Sequence, residues 1–342
     1  MHADAVVIGA GHNGLVAANL LADAGWDVLV LEAQPHAGGA VRSAELTVPG
    51  FIHDVFSAFH PLAAASPVIQ ALDLEAHGLR WCRSPAVLAH PRPDGTCAVL
   101  STDIDETAAS LDAFHPGDGD GWRELYGWWV ETGGAFVDSL LSPFPPMRAG
   151  GRLAARLGPA GVLRLARVSL MPVRRLGAEH FQGEGGWLLL AGCALHADFT
   201  PEMAGSGLFG WLLASLGQEL GYPAPEGGAG SLTDALVRRL EAQGGQVRCA
   251  TAVERVLLQG GAAVGVRTAD GDEIRARRAV LADVGAPALY RDLIGEANLP
   301  AGLRRYLGRF QYDNGTVKID WALDGPIPWD AKDARRAGTV HI

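Results

Sequence analysis

The stretch that decides the fold is Asp4-Ala5-Val6-Val7-Ile8-Gly9-Ala10-Gly11-His12-Asn13-Gly14, followed by the apolar-periodic residues 15–24 and by Asp27-Val28-Leu29-Val30-Leu31-Glu32. A short β-branched run ends in glycine, apolar residues then recur at helical spacing, and a second apolar run closes on an acid. The order is strand, tight turn, helix, strand, the βαβ unit that binds dinucleotides. Gly9 permits the sharp turn out of the strand, Gly11 removes the Cβ that would hold a pyrophosphate off the backbone, and Gly14 lets the helix pack close to the sheet. Ala10 and Asn13 complete the turn, and the free N–H groups and positive dipole end of the helix face the anion. Glu32, eighteen residues beyond Gly14, stands where a carboxylate accepts hydrogen bonds from both ribose hydroxyls of an adenosine and repels a 2′-phosphate.

Composition narrows what surrounds this unit. A chain of 342 residues with 48% apolar and 19% charged side chains holds two or three folded domains and is not disordered. The net charge of −10 argues against general nucleic-acid binding, which needs a dominant basic surface. No run reaches the twenty or so apolar residues that span a bilayer, and the first apolar run starts too near Met1 to follow a charged secretory leader. The four cysteines, Cys82, Cys97, Cys193 and Cys249, form no C-x-x-C pair, so a reducing, cytoplasmic setting is expected. Histidine and carboxylate spacings suggest no metal, and there is no G-x-S-x-G elbow for hydrolysis.

The first motif does not separate NAD from FAD; the next segment does. Glu32-Ala33-Gln34-Pro35-His36-Ala37-Gly38-Gly39-Ala40-Val41-Arg42-Ser43 sets a second glycine pair just after the ribose-binding acid, with an arginine three residues on. Paired glycines let a loop cross close over a pyrophosphate, and the guanidinium neutralises it or contacts the ribityl chain. The segment resembles the second glycine motif of the flavin-dependent amine oxidase and phytoene desaturase superfamily. Pro49-Gly50-Phe51 resembles a further segment of the bacterial phytoene-desaturase-like oxidoreductases, within them the group called pyridine nucleotide-disulfide oxidoreductase domain-containing protein 2. The resemblance recurs in Ala194-Leu195-His196-Ala197-Asp198 and Gly227-Gly228-Ala229-Gly230-Ser231-Leu232. No cysteine pair supports disulfide reduction.

That resemblance implies an α/β fold: a Rossmann-like FAD-binding domain (GR2-type flavoprotein) from residues 1–80 and 225–300. A mixed α+β substrate domain, 81–224 and 301–342, is inserted in it and incomplete at the C-terminus. It implies FAD, held by Gly9, Ala10, Gly11, Asn13, Gly14, Glu32, Ala33, Gly38, Gly39, Arg42 and Ser43, with the backbone of Val253 at the adenine. The implied reaction is hydride transfer from, or isomerisation of, a lipophilic isoprenoid- or carotenoid-like substrate, with the flavin carrying the chemistry. His60 and His196 are candidate substrate contacts. The alternatives are a flavin amine or amino-acid oxidase and a truncated, non-catalytic nucleotide-binding remnant. The electron acceptor stays open among oxygen, a quinone and a nicotinamide.

Two further segments set expectations. Gly315-Thr316-Val317-Lys318-Ile319-Asp320-Trp321-Ala322-Leu323 alternates as a strand of the substrate-domain sheet, and Gly338-Thr339-Val340-His341-Ile342 begins another. The pattern then stops, so the adenosine half of the site is expected whole and the flavin-ring half is in question. Between Asp138 and Glu179 there is no acid but seven arginines, Arg148, Arg152, Arg156, Arg164, Arg167, Arg174 and Arg175, interleaved with leucine and valine. Arg148 to Arg175 fits either an anionic membrane surface or a solvated helical cap whose arginines pair with the acidic remainder. Trp122, Trp128 and Trp129 read as core ahead of a pocket lining.

Overall fold

Ala5, Val6 and Val7 carry no exposed surface, which is what a strand covered on both faces requires. In the structure, a computed structural model that describes residues 1–342, they belong to the strand His2–Ile8 inside a six-stranded sheet. The strand order is Val253–Gln259, Ala262–Thr268, Glu273–Ala282, His2–Ile8, Val28–Leu31, Gln246–Arg248. His2–Ile8 pairs in parallel with Val28–Leu31 and Glu273–Ala282, and Val28–Leu31 pairs in parallel with Gln246–Arg248. The strands Val253–Gln259 and Ala262–Thr268 extend the sheet as an antiparallel ribbon.

The parallel register brings three carboxyl ends together: Ile8 lies opposite Leu31 on one side and Ala282 on the other. Residues that follow those strands, Gly9, Glu32 and Asp283, therefore share one edge of the sheet, where ligands of open α/β sheets bind. The helices His12–Asp23 and Gly230–Ala242 are joined by the buried Asn19. Its Nδ2 donates to Leu15 O at 2.9 Å and to Leu236 O at 3.0 Å, while Arg239 Nη1 donates to its Oδ1 at 3.2 Å. A buried amide is stable only when so satisfied.

The second unit comprises Phe59–Ala71, Cys82–Ala224 and Leu323–Ile342; the first comprises Met1–Ala58, Leu72–Trp81 and Pro225–Ala322. The second unit is mainly helical around a three-stranded sheet, Ala337–Val340, Ala86–Pro91, Cys97–Leu100. Its core holds Trp122, Trp128, Trp129 and Trp211, with Trp128 stacked on Trp211 at 4.2 Å between ring centroids. Trp122 Nε1 donates to Gln218 Oε1 at 2.9 Å inside the core, and Trp129 Nε1 to Glu219 Oε2 at 2.7 Å at its edge.

Three segments differ from the sequence reading. Residues 59–71 belong to the second unit, in which Phe59 stacks on Tyr222 at 4.9 Å, and residues 301–322 belong to the first. The alternating run at 315–323 is not a strand: no regular element occupies it, and Val317, Ile319 and Trp321 are exposed. Alternation makes a strand only when a neighbour accepts its backbone ladder, and this run has none. The run at 338–342 does find a partner, since Ala337–Val340 pairs in parallel with Ala86–Pro91.

Asn19→Ala should lower stability by roughly 1–3 kcal/mol by leaving the Arg239 guanidinium without this acceptor and the two helices without their tie. Urea unfolding followed by circular dichroism reads it as a lower midpoint at unchanged slope.

Candidate functional site

The glycine turn lies in close contact with Asp283. Gly9 has φ +96°, and a Cβ there would stand 2.5 Å from the carbonyl oxygen of Asp283. A Cβ on Gly11 would stand 2.7 Å from Asp283 Oδ2. The same carboxylate accepts from Gly14 N–H at 2.8 Å. Gly11, at the N-cap of the helix His12–Asp23, has no side chain to offer, so Asp283 supplies the missing acceptor from across the sheet. By resemblance the sequence sets Asp283-Val284 in a turn close to the cofactor, after the strand ending at Ala282, but assigns Asp283 no role there. The available signal was its position, immediately after an apolar strand in the same sheet.

Glu32 is nearly buried and sits as expected at the end of Val28–Leu31. Ala10 N–H donates to its Oε2 and Gln34 N–H to its Oε1, both at 2.8 Å. Each carboxylate oxygen keeps a second lone pair, so two ribose hydroxyls can still donate to it. Ala33 is exposed beside it. Thr251 N–H donates to Glu32 O and Ala250 N–H to Gln34 O, both at 2.8 Å, which carries the chain into Val253 from the ribose-binding acid.

The second glycine pair lies directly on the first motif. Gly38 N–H donates to Ala10 O at 2.8 Å, Gly11 and Gly38 form a parallel bridge, and a Cβ on Gly39 would lie 3.2 Å from Gly11 Cα. Arg42 follows on this loop with its Nε buried and without a hydrogen-bond partner. A buried guanidinium N–H without an acceptor fits an anionic group that completes it. Ser43 donates to Asp54 Oδ1 at 2.7 Å and accepts from Gly230 N–H at 2.9 Å, which pins the start of the helix Gly230–Ala242. Arg42 and Ser43 open on a recess of about 780 Å³ that includes His36, Ile52 and Asp234 but none of Gly9, Gly11 or Glu32. Side-chain-free loops, exposed His12 and Asn13 at the helix start and the unmet Arg42 Nε together fit a dinucleotide pyrophosphate.

The two histidine candidates occupy the second unit. His60 is buried at the start of the helix Pro61–Ala65, and its backbone N–H donates to Pro223 O at 2.8 Å. His196 ends the helix Glu184–Leu195 and joins a chain of three imidazoles. His341 Nε2 lies 2.8 Å from His196 Nε2, and His341 Nδ1 lies 3.0 Å from His90 Nε2. A Cβ on Gly192 would collide with the rings of His90 and His341, so the helix lacks a side chain where they pack. Burial, then the charge of His196, pushes His90 down to about 4; burial, then His90 and His196, pushes His341 down to about 3. Nearby, the buried Cys193 thiol lies 3.2 Å from Tyr222 Oη and is pushed up to about 12 by burial, which keeps it protonated and unreactive at neutral pH.

This combination of sheet, glycine turn and covering loop defines a dinucleotide-binding α/β protein of the flavoprotein type. The chain belongs to the flavin containing amine oxidoreductase family, whose family model matches residues 14–338. Pyridine nucleotide-disulfide oxidoreductase domain-containing protein 2 of Rattus norvegicus is 29% identical over 379 aligned residues, covering 99% of this chain and 64% of the relative. Hydroxyneurosporene desaturase of Cereibacter sphaeroides is 30% identical over 285, covering 78% of this chain and 53% of the relative. The chain thus spans between about half and two thirds of these relatives. Among solved structures, an oxidoreductase from Methanosarcina mazei shares the fold at a TM-score of 0.54 and 20% identity, over 91% of this chain and 66% of that one.

Two outcomes follow from this geometry. Asp283→Ala removes the only side-chain acceptor at the helix start and should cost about 1 kcal/mol of stability, read as a lower thermal midpoint, whereas Asp283→Asn keeps an acceptor and should cost less. The folded values of His90 and His341 lie below the ordinary histidine value of 6.5, so below that pH the unfolded chain binds protons the folded cluster refuses. Stability is full above about pH 6.5 and falls as pH drops towards about 3. The urea midpoint should drop across this window, and His341→Gln should flatten the drop; an unchanged slope in the variant would remove the cluster as its cause.

Proposed function

We propose that this chain belongs to an FAD-dependent oxidoreductase acting on a lipophilic, isoprenoid- or carotenoid-like substrate. The observation that carries the reading is the contact of the two glycine loops beside an Arg42 Nε that has no partner. When bound, the flavin supplies the hydride-accepting ring for dehydrogenation, or for isomerisation without net oxidation. The chain's residues do the holding. Glu32 accepts from the ribose hydroxyls, the backbone near Val253 meets the adenine, His12 and Asn13 present N–H groups to the pyrophosphate, and Arg42 neutralises it. The desaturase relative supports a lipophilic substrate by its name. A substrate of that kind partitions into membranes, which supports a cytoplasmic protein with peripheral membrane contact through part of the arginine-rich segment Arg148 to Arg175. The family description favours an amine or amino-acid oxidase as the second reading.

The purified chain should show the two visible flavin bands and release FAD on heating. Gly11→Val, whose side chain would meet the Asp283 carboxylate and fill the cradle, should fold and emerge colourless. A colourless wild-type chain would overturn the enzyme reading for this chain and leave a nucleotide-binding remnant. With flavin present, anaerobic bleaching by isoprenoids or by amines separates the two enzyme readings, and recovery of colour with oxygen, a quinone or a nicotinamide identifies the acceptor.

A further inference from the structure

The arginine-rich segment does not behave as one surface. It forms a helix, Met147–Leu170, interrupted at Gly158, whose φ of 64° and ψ of 177° leave the helical region. Beyond the interruption every arginine is engaged. Arg164 lies 3.8 Å from Glu124 and over the Trp128 ring, Arg167 and Arg175 share Glu179, and Arg174 pairs with Glu202 and covers Trp187. That half is a solvated cap over the core.

The half before the interruption, residues 147–157, differs in each respect. Ala149 and Leu153 are its buried face, four residues apart. Arg148, Arg152 and Arg156 follow the same spacing one step around the helix, and all three are exposed. None has an ion pair or hydrogen bond, although Glu131 and Asp138 stand on the preceding helix Asp118–Leu140 and Glu131 shares a recess with Arg156. Like charges four residues apart repel, and no acid pairs with them. The loop leading in adds apolar surface: Phe144 is 94% exposed and Met147 77%, with Leu140 and Leu141 also exposed beside them. Unrelieved cations flanking exposed apolar side chains, in a chain of net charge −10, match an anionic bilayer: phosphates meet the guanidinium row while Phe144 and Met147 enter the acyl boundary.

We infer that residues 140–157, through Phe144, Met147, Arg148, Arg152 and Arg156, form a docking surface for anionic lipid membranes, and that residues 164–175 take no part in it. This deepens the lipophilic-substrate reading by naming the surface from which such a substrate is collected, but its test is independent of the flavin. Vesicles of phosphatidylcholine alone or with phosphatidylglycerol are sedimented with the full chain at low and high salt. Binding should require phosphatidylglycerol and weaken with salt. Arg148→Gln/Arg152→Gln/Arg156→Gln should lower the vesicle partition coefficient at least about tenfold, and Phe144→Ser/Met147→Ser should weaken it as well. Arg174→Gln/Arg175→Gln should leave it unchanged, and circular dichroism confirms that each variant is folded. Absence of binding, equal binding to neutral vesicles, an unaffected triple variant, or a self-associating wild type made monomeric by Phe144→Ser/Met147→Ser without vesicle binding would each overturn the inference. A chain that binds vesicles without flavin colour keeps this inference and overturns the oxidoreductase reading; a yellow chain that ignores vesicles does the reverse.

Discussion

The nucleotide-binding unit depends on one constraint, the close approach of three backbone segments at the carboxyl edge of the parallel sheet. Gly9 and Gly11 run against Asp283, Gly39 runs against Gly11, and Gly38 is hydrogen-bonded to Ala10. A side chain at Gly9 would press on the Asp283 backbone and open the turn that positions the helix His12–Asp23, whereas one at Gly11 would meet only the end of the Asp283 side chain. The glycines are thus used twice. Towards the protein interior they admit Asp283, and on the outer side they leave a surface that a pyrophosphate can reach. Asp283 compensates for the cap that a glycine cannot provide, so the sequence that a ligand requires does not leave the empty helix start without an acceptor.

The second unit solves a different problem with similar means. Its tryptophans bury large apolar area, but a buried indole N–H needs an acceptor, and Gln218 and the Leu125 carbonyl provide one inside the core while Glu219 does so at its edge. The histidine chain is a further buried polar group of this kind, neutral because burial disfavours charge and held by ring-to-ring hydrogen bonds. Its position on Gly192 makes the helix Glu184–Leu195 and the strand Ala86–Pro91 mutually dependent.

The amino-acid sequence by itself determined the βαβ unit, the second glycine motif and the acid after the second strand. These are local, each set by residues within about forty positions and by φ values or close approaches that few residue types allow. It also determined that Trp122, Trp128 and Trp129 are core, since large apolar side chains have few other places to go. Tertiary structure decided what depends on partners far along the chain. Asp283 reaches Gly14 across 269 positions and His341 reaches His90 across 251, and no periodicity announces either. The alternation at 315–323 is lost because a strand needs a neighbour, which spacing alone cannot supply. The seven arginines looked alike in sequence; Gly158 and the positions of Glu124, Glu179 and Glu202 divide them into a paired half and an unpaired one, because an ion pair is a matter of distance in space.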